Sequence, residues 1–398
     1  MSLFTEETRR DPYPIYKALR SIGPVVQDER SRLWLLLDYE DCKRALNDPA
    51  IFSSNLGEYA AQPTPPWMIF TDPPRHTELR TLVARTFTRA ALAGLETRIG
   101  EICRQLLDQG LQEDGTIDFA SAFAVPLPIC VIAEIIGVPT PEWPLFRRWT
   151  DDILALSETL HGSQADKTIL ARYGRAHAEM TLYLHELTSV RRRAGAADGL
   201  LAGLLEARVT GSELVSFLEL LLTAGSETTT NLLNNAVLCF IEHGHQFARL
   251  RSKPALMPAA LEEVLRYRSP LQFVFRATRQ QVTIANRSVP KGALVLVVVG
   301  AANRDPAVFD NPEQFDIGRD PNPHIAFGHG VHFCLGAALA RMEARIAFSE
   351  FFNRVSCFDL AANGPLKSRS ALNVLGPESL PLRYTTNHSH ALEMEAYA

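Results

Sequence analysis

Residues 326–336 read AFGHGVHFCLG, which sets one cysteine among glycines, two histidines and two phenylalanines. A cysteine where a loop meets a helix N-terminus faces unpaired backbone N–H groups, and these favour thiolate over thiol. Gly328, Gly330 and Gly336 permit tight turns and the close approach of a flat or bulky group. Three chemistries compete for Cys334. The first is an inert core thiol, which leaves the glycines and histidines unexplained. The second is a zinc ligand alongside His324, His329 and His332, whose spacing matches no usual paired module. The third is an axial thiolate to haem iron, with the loop against the macrocycle face and N–H groups tuning the sulfur.

Three other stretches carry polar groups at useful spacing. In DPPRHTELR, His76 and Arg80 are four apart and share one helix face. That face suits a pair of ligand carboxylates, or plain solvation. In ALEEVLRYRSP, Glu263 and Arg266 are three apart and can pair; such a pair on a surface contributes little. In LLLTAGSETTTN, Gly225 weakens the helix and leaves space beside the backbone, while Glu227 and Thr228 put an acid and a hydroxyl among apolar positions. A mid-helix threonine can equally bond back to a preceding carbonyl. Thr229 and Thr230 rotate away from Thr228.

The elements that must position these groups are mostly helices. Residues 11–21 form a short helical candidate. SRLWLLLDYEDCKRALND reads as a strand running into a helix, with Asp38 as the cap. Residues 57–71 are rich in Gly and Pro and read as an irregular loop that covers something. Residues 75–107 read as two helices broken near Thr88, residues 126–137 as a buried helix, and residues 165–195 as a long one. From Ser212, Leu214, Phe217, Leu218, Leu221 and Leu222 recur at helical spacing, and the helix continues toward His243. Residues 257–267 form another helix. After Pro270 come strands around a turn at 285–287, then turn-rich NRDPAVFDNPEQFDIGRD, then the cysteine loop and a helix beginning near Cys334. Short strands follow to Tyr384, with residues 358–363 as loop and 385–398 as a flexible tail. No internal repeat or clean linker divides the chain, so residues 1–398 read as a single domain.

Bulk properties narrow the partners. Net charge is -5 and no basic tract is present, so nothing points to nucleic acid. Hydrophobic content of 46% against 21% charged is an ordinary globular balance. The N-terminus mixes charges from its start, and no apolar run is long enough for a signal segment or membrane anchor. Six cysteines without CxxC pairs fit a reducing cytoplasm, and all but Cys334 read as small core hydrophobes.

FGHGVHFCLG resembles the haem-binding signature FGxGxHxCxG of cytochrome P450 in its soluble bacterial members, and AALARMEARIAF resembles the helix that follows it. The resemblance spans nearly the whole chain, with its motifs in family order. It implies a mainly α fold with a small β-rich portion, a single triangular-prism haem domain. It implies haem b with Cys334 as iron ligand, Phe327 packed near the sulfur, Gly336 beside the ring, and His332 at a propionate. His329 falls at a variable position. DPPRHTELR resembles the helix that crosses the haem edge, which assigns His76 and Arg80 to propionates; Arg276 in FVFRATR matches a further propionate arginine. ALEEVLR resembles the ExxR element, which implies a buried Glu263–Arg266 pair completed by Arg319, with Glu262 the less critical neighbour. LLLTAGSETTTN resembles the distal helix (A/G)Gx(D/E)T. There Ala224 and Gly225 leave room for oxygen, Thr228 lies beside it, and Glu227 links it to solvent protons.

The implied activity is a haem-thiolate monooxygenase that inserts one atom of O2 into a largely apolar small molecule of secondary metabolism, by hydroxylation or epoxidation. Oxidative coupling, desaturation, and a non-catalytic haem ligand-binding or sensor protein are the alternatives. Electrons come ultimately from NAD(P)H through separate proteins, a ferredoxin and a ferredoxin reductase. Arg104, Arg341 and Arg345 are candidates for a basic dock. Apolar side chains suggest a substrate pocket at Trp67, Phe70, residues 154–161, Phe217, Leu218, Leu221, Leu271, Phe275 and Leu375.

Overall fold

The computed structural model describes residues 5–58, 65–84, 87–88, 92–159, 167–194, 204, 211–361, 364–369 and 371–387. Two short helices, α1 (Glu6–Arg10) and α2 (Tyr13–Ile22), open the chain. Strands β1 (Val25–Gln27) and β2 (Trp34–Leu36) lead into α3 (Tyr39–Asn47). Asp38 holds the N-cap position of α3, but its side chain makes no capping bond. Arg20, at 3.3 Å, takes the carboxylate instead.

Strand β3 (Phe52–Ser53) precedes the irregular stretch, which holds single turns at Leu56–Glu58 and Met68–Phe70. Residues 59–64 of that stretch lie outside the described residues. Helices α4 (Arg75–Ala84) and α5 (Glu96–Gly110) flank the expected break. Strand β4 (Thr116–Asp118) leads to α6 (Pro126–Ile136), which Gly137 ends in a left-handed conformation at φ 81°. Next come α7 (Trp143–Thr159), α8 (Lys167–Ala194), α9 (Ser212–Glu242), α10 (Gly244–Ser252) and α11 (Met257–Tyr267).

The later part carries most of the sheet. Strands β5 (Val274–Thr278), β6 (Val282–Ile284), β7 (Arg287–Val289) and β8 (Leu294–Val297) precede the short α12 (Val299–Ala302). The β6–β7 hairpin turns on Ala285 and Asn286, both at positive φ, as a two-residue hairpin of this hand requires. After a turn-rich stretch come α13 (Ala337–Phe352), β9 (Val355–Leu360) and β10 (Pro381–Thr386). Three boundaries differ from the sequence reading. Helix α13 starts at Ala337, with Cys334 in the loop before it. Residues 358–360 complete β9 rather than a loop, because β10 pairs with them. Strand β10 extends through Thr386, two residues into the expected tail; residues 388–398 lie outside the described residues.

One sheet has the order β1-β2-β8-β5-β3 and another β4-β10-β9. Helix α9 is the axle of the helical part. Its 31 residues span about 46 Å at 1.5 Å per residue, and it packs against α6, α7, α8, α11 and α13. Leu222, Leu232, Leu233 and Val237 are fully enclosed there, each contributing about 1.5–3 kcal/mol of burial. A helix apolar on nearly every side is stable only in such a position. Its polar residues therefore stand out as positions where something other than packing decides.

Candidate active site

The cysteine loop is shaped by two left-handed glycines, Gly328 at φ 73° and Gly330 at φ 68°. Gly330 has a second constraint: a Cβ there would sit 2.7 Å from the carbonyl oxygen of Leu46 in α3. Gly336 is different, since no protein atom lies within 4 Å of where its Cβ would project. The Cys334 N–H donates to the Phe327 carbonyl at 2.8 Å, which closes the loop. Burial pushes the Cys334 thiol up, while the Gly336 N–H and the charges of Arg80 and Arg341 pull it back toward thiolate. The Phe327 ring covers this region with Arg341 stacked on it, 4.3 Å from the ring centre.

Around the loop the fold gathers basic groups from three distant segments. The rings of His76 (α4) and His332 lie 4.0 Å apart. Arg80, one turn beyond His76, donates to the Phe333 carbonyl at 2.6 Å. Arg276 on β5 is buried, and its guanidinium donates to the neighbouring Phe275 carbonyl at 2.7 Å. Burial holds His332 down at about 3, with the charges of Arg276 and His76 adding to it. Burial also lowers His76, helped by Arg80, and brings Arg276 down to about 10. Both ring nitrogens of His76, and Nε2 of His332, are buried without a hydrogen-bond partner.

The acid in this neighbourhood is Asp72, which the sequence reading did not single out. It is already engaged by Ser53, the Ser54 N–H at 2.9 Å and Arg279 at 2.6 Å. Two arginines and two histidines with unpartnered ring nitrogens, gathered in one place, describe a receptor for a group bearing two carboxylates. A soft sulfur ligand stands beside them. These residues fit haem b. They do not fit zinc, because among the described residues no three His, Cys, Asp or Glu side chains converge on a metal position. His324 instead bonds Glu262 at 3.0 Å.

The Glu263 pair is not a surface pair. Glu263 and Arg266 are both fully buried and joined by two parallel 2.8 Å bonds. Arg319 reaches the same carboxylate at 3.2 Å, as do the Asp316 N–H at 3.0 Å and Asn322 at 3.2 Å. The remaining Arg266 N–H groups go to the carbonyls of Asn303, Pro312 and Gln314. Every charge is thus met, which is the condition for tolerating a buried ion pair. Glu262, expected to matter less, binds Arg341 through two bonds of 2.6 and 2.8 Å. Burial raises it, but Arg341 and His324 overcome that and hold it at about 2.

On α9, Leu221, Ala224, Gly225 and Thr228 form an accessible stripe on an otherwise enclosed helix, and Glu227 is half-buried beside it. The Thr228 hydroxyl donates to the Ala224 carbonyl at 2.7 Å, leaving its oxygen able to accept. Thr230 faces elsewhere, donating to the Ala124 carbonyl at 3.0 Å. The missing Cβ of Gly225 also makes room for Ile132 of α6, whose Cδ1 would lie only 2.9 Å away. Its smallness serves helix packing, and the open position on the stripe is Ala224.

Of the pocket candidates, Phe70, Leu221, Leu271 and Phe275 are half-buried, while Trp67 and Phe217 are buried. Leu218 and Leu375 are core residues, 1% and 3% exposed; Leu375 belongs to the cluster of Tyr13, Tyr16 and Leu296. Residues 160–161 lie outside the described residues. The three arginines of the expected basic dock are each paired with an acid. Arg104 pairs with Glu350 at 2.7 Å, Arg345 with Glu96 at 2.9 Å, and Arg341 with Glu262, so none of the three offers a bare charge. No helix among the described residues is long and apolar enough to cross a membrane.

Comparison with known proteins agrees with this geometry. A family profile described as Cytochrome P450 matches residues 249–375. Cytochrome P450 107B1 of Saccharopolyspora erythraea is 41% identical over 372 residues, covering 88% of this chain and 89% of that protein. Cytochrome P450 monooxygenase PikC of Streptomyces venezuelae is 38% identical over 394 residues, covering 94% and 91%. The crystal structure of CYP109E1 from Bacillus megaterium in complex with testosterone superposes with a TM-score of 0.85 at 36% identity, covering 95% of this chain and 99% of that one.

Proposed function

The chain belongs to the cytochrome P450 family, and from that membership we propose that it is a haem-thiolate monooxygenase acting on a largely apolar small molecule. The observation that carries the reading is the convergence of His76, Arg80, Arg276 and His332, with orphaned ring nitrogens, around a loop that presents a single cysteine. Haem b supplies reductive activation of dioxygen, with thiolate donation favouring O–O cleavage.

The protein's part is to hold, orient and deliver protons. Cys334 Sγ would hold the haem iron, and the Gly336 N–H would moderate its donation. His76, Arg80, Arg276 and His332 would hold the propionates, which would give the unpartnered ring nitrogens of the two histidines their hydrogen bonds. Gly336 admits the ring edge. Thr228 Oγ1, whose own proton goes to the Ala224 carbonyl, would accept a hydrogen bond beside the bound cofactor, and Glu227 would exchange protons with solvent. Phe70, Leu221, Leu271 and Phe275 exclude water and orient an apolar substrate. One atom of O2 enters the substrate, by hydroxylation or epoxidation. A ferredoxin and a ferredoxin reductase deliver the electrons from NAD(P)H. The testosterone complex of the Bacillus megaterium relative supports an apolar ligand of comparable bulk.

The test is spectroscopic. Reduced protein under carbon monoxide should show the strongly red-shifted Soret band of a thiolate-ligated haem, and Cys334→Ala should lose it. Persistence of that band in the variant would remove Cys334 as ligand, and a colourless wild-type preparation would remove haem.

A further inference from the structure

Glu219 is a fully buried carboxylate on α9 that the proposed reaction does not use. It lies nine residues before Thr228, about 13–14 Å along the axis. Two other segments reach it. From the 57–71 loop, Trp67 Nε1 donates to Oε2 at 3.2 Å. From α8, the Tyr173 hydroxyl donates to the same oxygen at 3.5 Å, and His177 Nδ1 lies 2.5 Å from Oε1. The His177 side chain is 44% exposed and that of Glu219 1%, so the cluster runs from the core to the surface. Trp67 stacks on Phe70, with ring centres 6.2 Å apart, and carries the apolar part of the loop with it. The Thr223 hydroxyl is occupied by the Glu219 carbonyl at 2.7 Å and does not compete for the carboxylate.

Resting on the haem reading, we propose that Glu219 is a positioning residue. It is the common acceptor that clamps the stretch 65–71 and α8 onto the central helix, and it thereby sets the size of molecule that passes between them. The physical basis is the low-dielectric interior. Hydrogen bonds to a buried carboxyl group are strong, and Trp67 cannot part from α8 without leaving a buried polar group short of partners. A small molecule slips past a closed clamp, whereas a bulky one waits for it to open.

The experiment is stopped-flow binding of two azoles to the holoenzyme, read from the Soret shift as azole nitrogen takes the iron. Imidazole is the small probe and clotrimazole the bulky one. Glu219→Gln turns an acceptor oxygen into an N–H donor facing other donors. It should raise the clotrimazole association rate about tenfold, the equivalent of losing about 1.4 kcal/mol of closure. The imidazole rate should change by less than about twofold. Trp67→Phe and His177→Leu each remove one partner and should each accelerate clotrimazole alone. Combining Trp67→Phe with Glu219→Gln should add nothing further. Wild-type clotrimazole rates in all three single variants, or equal acceleration of both azoles, would overturn the clamp. If Glu219→Gln does not retain haem, the two milder variants decide. A wild-type protein with no azole-induced shift removes the haem reading, and this proposal with it.

Discussion

Glu343 allows a prediction worked from a single buried group. It sits on α13, 2% exposed, with Oε2 lacking any hydrogen-bond partner, and burial pushes its carboxyl up to about 8. An unfolded chain releases that proton near pH 4.3. Below that pH both states are protonated and the residue is neutral in its effect. Between about 4.3 and 8 the unfolded state ionises and the folded state does not, so stability is lost by about 1.4 kcal/mol per pH unit. From pH 5 to pH 7 the loss is roughly 2.7 kcal/mol. For a chain of 398 residues the unfolding entropy is about 0.8 kcal/mol/K, so the midpoint should move by roughly 3 °C. Glu343→Gln carries no such titration. Its unpaired amide costs a constant amount at every pH, so the slope of the difference isolates ionisation. The assay is thermal unfolding by far-ultraviolet circular dichroism at pH 5, 6 and 7 for both proteins. The variant should gain about 3 °C on the wild type between pH 5 and 7. Parallel curves would refute the reasoning, as would the absence in the wild type of an infrared carbonyl band from a protonated acid that the variant lacks.

Glu263→Ala strands the fully buried Arg266 and should cost about 3–5 kcal/mol, a drop of roughly 4–6 °C in thermal midpoint; a change under about 1 °C would contradict the buried network. Gly330→Ala must fit a Cβ 2.7 Å from the Leu46 carbonyl at φ 68°, and should lose about 1–3 kcal/mol by the same measurement. Thr228→Ala keeps the helix but removes the distal hydroxyl. Product formed per electron pair should fall about tenfold or more while peroxide rises, and unchanged coupling would count against its proton role.

How much of this was legible beforehand depended on the kind of signal. Helix α9 announced itself by apolar spacing, and the β6–β7 turn by its flanking strands. The cysteine loop and the Glu263 element were legible because their residue types are unusual at fixed spacing. What spacing did not carry is which face of a residue is filled by a remote segment. Gly225 looked like room for a ligand and is also room for Ile132, some ninety positions away. Arg104, Arg341 and Arg345 looked like bare charge because their acids lie on other helices. Asp72 and Glu219 sit in ordinary local sequence, and only their long-range partners mark them.

The pairing of Arg341 has a consequence for traffic between the surface and the thiolate loop. Its guanidinium is half-exposed, stacks on Phe327 and shares Glu262 with His324, three residues upstream of that phenylalanine. An approaching anion that captures Arg341 must therefore take it from Glu262. Glu262 would then keep only its 3.0 Å contact with His324. Surface and cysteine loop are thus joined through Glu262, Arg341 and Phe327, so a charge placed at the surface end is felt at the loop as well as by its nearest neighbour.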